Sequence, residues 1–129
     1  MGKCKRCGII FSFQDYLLVV RGRNGGIYSF PKGCKKMGET DIECAIRECE
    51  EETGIKVETS ISYPFLKLSG NCYYLIESNL LFPVDDSNIK DKNEIDKVEW
   101  IKKEILKTLP CNKDLRRFLH YFQNKTTSL

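Results

Sequence analysis

The chain has 129 residues, of which 41% are hydrophobic and 30% are charged, and its formal net charge is +3. This length suits a single domain that buries its own core, and no apolar run approaches the roughly 18 residues of a membrane span. The basic start MGKCKRCG is not followed by the apolar segment of a secretory signal, so we expect an intracellular protein without membrane association.

Seven cysteines, an odd number, are scattered through the sequence. This pattern favours free thiols in a reducing, cytoplasmic compartment over a disulfide framework. Cys4 and Cys7 have the spacing of half a zinc site, but no second pair of cysteine or histidine residues follows at zinc-finger spacing. We therefore interpret the pair as small residues that lead into the first strand.

The first third of the chain alternates short β-rich runs with glycine-containing loops. Two runs form a predicted hairpin, a glycine-rich loop follows, and a short strand then stops at Pro31, which lacks the N–H that a β-ladder needs. A second loop, with two glycines, precedes the first helix. These predicted elements cover residues 8–13 and 16–20, 23–26, 27–30 and 33–39.

A helix is predicted between Thr40 and Gly54. Thr40 and Glu43 have the spacing of a capping box, and Gly54 stands where a left-handed residue commonly ends a helix. Apolar residues at helical spacing are predicted to face the core, namely Ile42, Ala45, Ile46 and Cys49.

The rest of the chain predicts two strands joined by a turn at 69–71, a polar loop, a further strand, a short helix and an amphipathic helix. Their ranges are 56–68, 72–82, 85–93, 95–101, 103–109 and 112–124, with a lead-in at 1–7 and a frayed tail at 125–129. The last helix is expected to turn four side chains inward, those of Leu115, Phe118, Leu119 and Phe122. Residues 1–129 therefore form a predicted single α/β domain with a mixed sheet.

Three carboxylates are predicted to share one face of the first helix. Glu48, Glu51 and Glu52 are spaced three and four apart, so they project together. Such neighbours raise one another's pKa, and a hard divalent cation with oxygen ligands would relieve the repulsion. Arg47 can orient a carboxylate. A solvated acidic face stabilised by Arg47 explains the same spacing, and helix geometry alone leaves both interpretations open.

The spacing from Gly33 to Ile55 resembles the Nudix box, G-x5-E-x7-R-E-U-x-E-E-x-G-U. Cys49 occupies a position that is usually aliphatic, but cysteine packs as a small hydrophobe. The resemblance implies an α/β/α sandwich and a hydrolase that uses Mg²⁺ or Mn²⁺ to cleave a nucleoside diphosphate linked to another moiety. It implies metal ligation by Glu48, Glu51, Glu52 and the Gly33 carbonyl, catalytic roles for Glu52 and Arg47, and a supporting role for Glu39.

Two flanking segments resemble the Nudix domain of mRNA-decapping enzymes. Residues 28–33, YSFPKG, are similar to the lead-in W-[GS]-F-P-K-G, which some diadenosine tetraphosphate hydrolases share. Residues 92–100, KNEIDKVEW, are similar to [KR]-x-E-I-x-x-[IV]-E-W. The resemblance implies that Glu94 acts as general base and that Lys32 binds substrate phosphate. An ordinary loop acid is the other interpretation of Glu94, and Trp100 is expected in the core.

The terminal helix resembles the basic RNA-tracking helix of the same family. Lys113, Arg116 and Arg117 lie on its predicted outer face. Phosphate contacts from such a face give salt-dependent affinity without sequence preference. A solvated helix face remains the alternative.

Cap hydrolysis is the leading hypothesis, with release of 7-methylguanosine diphosphate and 5′-monophosphate RNA. The expected partners are capped RNA or a nucleotide, with or without a decapping-activator protein. One alternative is a small-molecule Nudix hydrolase of dinucleoside polyphosphates, diphosphoinositol polyphosphates or nucleoside triphosphates. Another is an inactive Nudix-fold RNA-binding module, which the intact set of box glutamates disfavours.

Overall fold

The computed structural model describes the backbone of residues 4–126 and the side chains of residues 4–121. The strands are β1 (Arg6–Phe13), β2 (Tyr16–Gly22), β3 (Tyr28–Ser29), β4 (Lys32–Cys34), β5 (Phe65–Leu68), β6 (Asn71–Glu77) and β7 (Ile95–Lys102). The helices are α1 (Asp41–Thr53), α2 (Lys103–Leu106) and α3 (Lys113–Thr126), and a 3₁₀ turn spans Asp86–Asn88. Within residues 4–126, no helix is both long and apolar enough to cross a membrane.

The described strands form one mixed sheet with the order β3-β2-β1-β6-β5, in which β4 also pairs with β1 and β7 with β2. Strands β1 and β6 run parallel, whereas the other pairs are antiparallel. The parallel pair requires a crossover between them, and α1 lies within it. The catalytic helix expected from the sequence is therefore the crossover element of the sheet.

Two cores lie on opposite faces of the sheet, because successive residues of a strand point to opposite sides. Helix α1 covers one core, whose buried members include Ile9, Phe11, Leu18, Val20, Ala45 and Cys49. Helices α2 and α3 cover the other, whose buried members include Ile10, Leu17, Val19, Leu106, Leu115, Phe118 and Leu119. This layering confirms the predicted α/β/α sandwich with a mixed sheet.

Helix α1 begins and ends where the sequence predicts, but its buried face is rotated about the helix axis relative to the predicted apolar face. The predicted capping box is present. Ile42 and Ile46 are only partly buried, and the buried positions are Cys44, Ala45, Cys49, Glu52 and Thr53. Positions 45, 49 and 52 are spaced four and three apart and share one face. The inward stripe therefore continues into Glu52, which the apolar pattern alone could not show.

The strand predicted over 56–68 is wrong in its first part, because β5 begins only at Phe65. The Glu58 carboxylate accepts hydrogen bonds from Ser60 N at 3.2 Å and Ser60 Oγ at 3.1 Å. Tyr63 also donates to the Glu58 carbonyl at 2.8 Å. Such local bonds compete with a β-ladder, so this stretch is irregular.

The strand predicted over 72–82 is too long, because β6 ends at Glu77. The Ser78 hydroxyl donates to the Leu80 carbonyl at 2.6 Å and lies 3.2 Å from Leu80 N, closing a local turn. Helix α2 likewise ends at Leu106 instead of 109.

Three further boundaries differ from the prediction. Strand β4 occupies the start of the predicted 33–39 loop and pairs with β1, which itself begins at Arg6 inside the expected lead-in. Helix α3 continues through Thr126, into the expected tail. Residues 127–129 and the Phe122 side chain lie outside the described part of the chain.

A disulfide joins Cys4 to Cys34, with their Cα atoms 5.6 Å apart. The expectation of free thiols is wrong for these two residues, because the pairing of Arg6 with Cys34 brings the segment before β1 beside β4. The other described cysteines are free and buried, and Cys7 is one of them. No described residues complete the zinc site considered for the Cys4–Cys7 pair, and the cytoplasmic location stays a prediction.

Tyr73 and Asp114 connect the sheet to α3 through a buried hydrogen bond from the tyrosine hydroxyl to the carboxylate. Asn71 Nδ2 donates to the same oxygen of Asp114 at 2.9 Å. Asp114 is only 4% exposed and Tyr73 is fully buried. The Asp114 carboxylate therefore depends on these two hydrogen-bond donors in place of water.

We expect Tyr73→Phe to lower the free energy of unfolding by about 1–3 kcal/mol, because it leaves a buried carboxylate with one donor fewer. Denaturant unfolding measures this loss. Tyr63→Phe is the matched control, since its hydroxyl bonds a carbonyl at the surface where water can replace it. Equal losses in the two variants would contradict the role given to the buried bond.

Candidate active site

Helix α1 carries the carboxylates, and both of its ends are capped. Thr40 N donates to Glu43 Oε1 at 2.9 Å, and Glu43 N donates to Thr40 Oγ1 at 3.2 Å. Gly54 adopts φ +80° and donates to the Glu50 carbonyl at 2.8 Å. Glycine accepts this left-handed conformation at little cost.

Arg47 binds three glutamates at once. Its Nε and Nη2 donate to the two carboxylate oxygens of Glu39 at 2.5 and 3.0 Å. Its Nη1 donates to Glu48 Oε2 at 2.8 Å and to Glu51 Oε2 at 3.1 Å, and Nη2 reaches the Cys34 carbonyl at 3.0 Å. The pair with Arg47, helped by a backbone N–H, lowers the pKa of Glu39 to about 2. The same pair raises the pKa of Arg47.

Gly33 lies directly against the Glu48 carboxyl group. A Cβ atom on residue 33 would sit 2.1 Å from the Glu48 carboxyl carbon, so this approach requires glycine. Burial raises the pKa of Glu48, and Arg47 opposes that rise. The Gly33 carbonyl accepts a weak hydrogen bond from Cys44 Sγ at 3.4 Å, and it therefore faces the helix that carries the glutamates.

Glu52 is almost completely buried, at 3% exposure. Lys32 N donates to its Oε1 at 3.2 Å. Burial raises the pKa of Glu52 to about 8, against the opposing charge and hydrogen bond of Lys32, and the negative charges of Glu48 and Glu94 raise it further. Glu52 is thus a carboxylate whose ionised form needs a nearby positive charge.

The chemistry of this donor set fits a divalent cation. Magnesium and manganese prefer oxygen ligands, which Glu48, Glu51, Glu52 and the Gly33 carbonyl supply. Here Glu48 and Glu51 are turned to Arg47 and Glu52 to the Lys32 amide. Accordingly, in the described part of the chain no three acidic, histidine or cysteine side chains are grouped closely enough to hold an ion. Each of these bonds uses one carboxylate oxygen, so the second oxygen of each glutamate is left for a cation.

Glu94 lies directly before β7 and lines a cavity that Glu52 of α1 also lines. This cavity has a volume of about 300 Å³, and Glu52, Glu94 and Lys32 all line it. The charge of Glu94 raises the pKa of both Glu48 and Glu52, so the fold brings this distant glutamate to the predicted site. Ser29 and Asn112, which sequence reasoning did not single out, line the same cavity.

Trp100 is partly buried and packs against the core under α1. Its indole Nε1 donates to the Phe82 carbonyl at 2.9 Å, and its ring meets the Phe82 ring edge to face at 5.1 Å. Trp100 therefore has the structural position predicted for it.

Basic side chains line two adjoining cavities next to the carboxylates. A cavity of about 760 Å³ is lined by Lys5, Arg6, Lys32 and Lys113. A second, of about 570 Å³, is lined by Lys67, Lys113, Arg116 and Arg117. Lys113 and Ser69 belong to both, so we treat the two cavities together as the basic groove. Lys32 also lines the Glu52–Glu94 cavity.

The sequence predicts Lys32, Lys113, Arg116 and Arg117 as phosphate-binding residues, and the structure brings all four to the basic groove. Lys5, Arg6 and Lys67 were not predicted there. They come from distant segments, and only the general abundance of lysine and arginine outside the acidic stretch pointed to them.

The family model of the NUDIX domain matches residues 5–122. The chain belongs to the Nudix family. It is similar to the mRNA-decapping enzyme subunit 2 of Saccharomyces cerevisiae, with 34% identity over 97 residues that make up 72% of this chain and 10% of the relative. It is also similar to the NAD-capped RNA hydrolase NudC of Pseudomonas fluorescens, with 30% identity over 117 residues, 86% of this chain and 41% of the relative.

The same fold occurs in solved structures. The Ap4A hydrolase of C. elegans in a binary complex superposes with a TM-score of 0.68 and 18% identity over 97% of this chain and 100% of that one. The chain thus spans about a tenth of the length of its yeast relative. In fold it matches the whole chain of the C. elegans structure. Nudix hydrolases cleave pyrophosphate bonds and generally use divalent metals such as Mg²⁺ or Mn²⁺.

We expect Glu52→Gln to abolish hydrolysis yet stabilise the metal-free protein at neutral to alkaline pH. An unfolded glutamate titrates near pH ~4.3, whereas Glu52 titrates at about 8 in the fold. The metal-free wild type therefore loses stability as pH rises between these values, by at most about 5 kcal/mol, and the glutamine variant does not. Thermal unfolding in chelator from pH 4 to 9 measures the difference.

Two further measurements complete this test. Magnesium should stabilise the wild type more than Glu52→Gln, because the variant lacks one anionic ligand. Glu50→Gln, on the same helix but paired with Lys90 at the surface, should keep both the pH dependence and the turnover. A glutamine variant that is less stable than the wild type at pH 8, or fully active, would show that Glu52 has been assigned wrongly.

Proposed function

We propose that this Nudix domain hydrolyses the 5′ cap of mRNA, releasing 7-methylguanosine diphosphate and 5′-monophosphate RNA. One observation carries the proposal: Lys32 lines both the Glu52–Glu94 cavity and the basic groove. A pyrophosphate beside the glutamates is thereby placed at the entrance of a cationic path that continues away from them.

The groove has positive charge available for a ligand. No salt bridge to a described carboxylate involves Arg6, Lys32, Lys113, Arg116 or Arg117. Asp114, which lines the first cavity, already accepts hydrogen bonds from Tyr73 and Asn71. The groove can therefore neutralise phosphates along a polynucleotide, which supports a substrate with a nucleotide chain attached to its pyrophosphate.

The proposed hydrolysis follows from the positions of the carboxylates. Water attacks a phosphorus atom of the cap, the bridging P–O bond breaks, and the Glu94 carboxylate accepts the proton of the attacking water. A divalent ion held by Glu48, Glu51, Glu52 and the Gly33 carbonyl would offset the negative charge of the pyrophosphate. Lys32 holds a substrate phosphate where the Glu52–Glu94 cavity meets the groove, and Arg47 keeps the glutamates in place.

The names of the relatives support an RNA substrate, and they point to two different caps at its 5′ end. The yeast relative is a decapping enzyme subunit, and the Pseudomonas relative is an NAD-capped RNA hydrolase. Both names describe a cap on RNA, so removal of an NAD cap is the second candidate. A free dinucleotide would fill the Glu52–Glu94 cavity and leave most of the basic groove without a ligand.

A substrate comparison tests this proposal. The protein is incubated with Mg²⁺ or Mn²⁺ and, separately, cap-labelled RNA, NAD-capped RNA and diadenosine tetraphosphate. We expect the two RNA substrates to have a kcat/KM at least about tenfold above that of the dinucleotide, because groove contacts add binding energy that the dinucleotide cannot use. Turnover of diadenosine tetraphosphate with both capped RNAs intact would contradict an RNA substrate.

Charge reversal tests the groove itself. We expect the double variant Arg116→Glu/Arg117→Glu to reduce the slope of log K for RNA binding against log salt by about 1.4, since each lost contact to single-stranded RNA contributes about 0.7. Fluorescence anisotropy over a salt series measures the slope, and hydrolysis of a small dinucleotide should be unaffected.

The matched control reverses two adjacent lysines outside the groove, Lys102→Glu/Lys103→Glu, and should leave the slope near its wild-type value. An unchanged RNA affinity in the arginine variant would make this helix face a solvated surface.

A further inference from the structure

One lysine binds three backbone carbonyls of the segment that leads to Glu94. Lys92 Nζ donates to the backbone carbonyls of Asp86 at 3.5 Å and Ser87 at 3.3 Å, and also to that of Ile89. An ammonium group has three donors, which matches the number of these carbonyls. The Lys92 side chain therefore connects the residues of the loop between the 3₁₀ turn and β7 to one another.

The same segment is attached to the loop between β2 and β3. Arg23 Nε donates to the Lys92 carbonyl at 2.7 Å, and Arg23 N donates to the Glu94 carbonyl at 2.7 Å. Arg23 thus fixes the backbone at Lys92 and at Glu94, the proposed base, which lie on either side of Asn93.

On its other side, the segment is attached to the catalytic helix. The Glu51 carbonyl accepts hydrogen bonds from Lys90 N and Asp91 N, each at 2.9 Å. Gly54 permits the close approach, because a Cβ atom there would lie 2.6 Å from the Asn88 carbonyl oxygen. The backbone that leads to Glu94 is therefore tied to the same helix that carries the proposed metal ligands.

The Glu94 side chain has no such support of its own. No hydrogen bond or salt bridge to a described residue involves its carboxylate, and its recorded bonds are all made by its backbone. The backbone is therefore what limits the region of the cavity that the Glu94 carboxylate can reach. A displacement of about 1 Å in a reacting group can cost ~10²-fold in rate.

We propose that Lys92 is a positioning residue for the reaction: by binding three carbonyls of its own loop, and with Arg23 holding its carbonyl, it places the Glu94 carboxylate at the attacking water. This inference rests on the proposed function, in which Glu94 accepts the proton. Lys92 acts on the chemical step and does not bind substrate, so its loss changes kcat and leaves KM unaltered.

A double-mutant cycle tests this proposal. Lys92→Met, which keeps the aliphatic stem, should lower kcat about 30-fold on cap-labelled RNA and on diadenosine tetraphosphate, whichever is turned over, with KM within about twofold. In a Glu94→Gln background the same substitution should change kcat by less than about twofold, because there is no base left to position. Lys97→Met, whose amine pairs with Glu99 at the surface, is the control and should keep wild-type kinetics.

Other results overturn the inference. A 30-fold loss in both backgrounds would make the effect of Lys92 independent of Glu94, and a raised KM with unchanged kcat would make Lys92 a substrate ligand. If Glu94→Gln alone keeps wild-type kcat, the proposed role of Glu94 fails, and the inference fails with it. Should Lys92→Met not fold, Arg23→Gln replaces it, with an expected loss of about fivefold that also disappears in the Glu94→Gln background.

Discussion

The bonds between Arg47 and three glutamates are the interaction on which the rest of the site depends. One guanidinium pairs with Glu39, just before α1, and with Glu48 and Glu51 on α1. It holds these three carboxylates close together, and the group keeps a net negative charge. Lys32 opposes the effect of burial on Glu52, but the pKa of that buried carboxyl group stays raised. The site thus contains a group of acids that share one arginine and a buried acid whose ionised form is unfavourable. Both would be stabilised by a cation bound between them.

The sequence predicted the parts of the fold that depend on local chemistry. The capping box at Thr40 and the glycine at 54 fixed both ends of α1, because each acts within a few residues. The box spacing identified the glutamates and the family. It could not show that Glu52 continues the buried stripe, since a charged residue in an apolar pattern is normally read as the end of the stripe. Burial of that carboxylate depends on how α1 packs against the sheet.

Features formed between distant segments were the ones that sequence reasoning missed. Strand β4 exists because Gly33 pairs with Cys7 across the sheet, and that pairing also brings Cys4 to Cys34. Lys5 and Arg6 reach the basic groove only through the fold. In each case the missing information was a contact between residues far apart along the chain.

The parallel pairing of β1 with β6 also constrains how the domain assembles. Arg6 and Asn71 meet across this pair although 65 positions separate them, and the loop between them contains α1. Closing so long a loop costs conformational entropy before any contact repays it, and folds rich in such contacts assemble slowly. The sheet centre cannot form until this loop closes. The surface on which α1 packs, and with it the burial of Glu52, therefore depends on a pairing between distant parts of the chain.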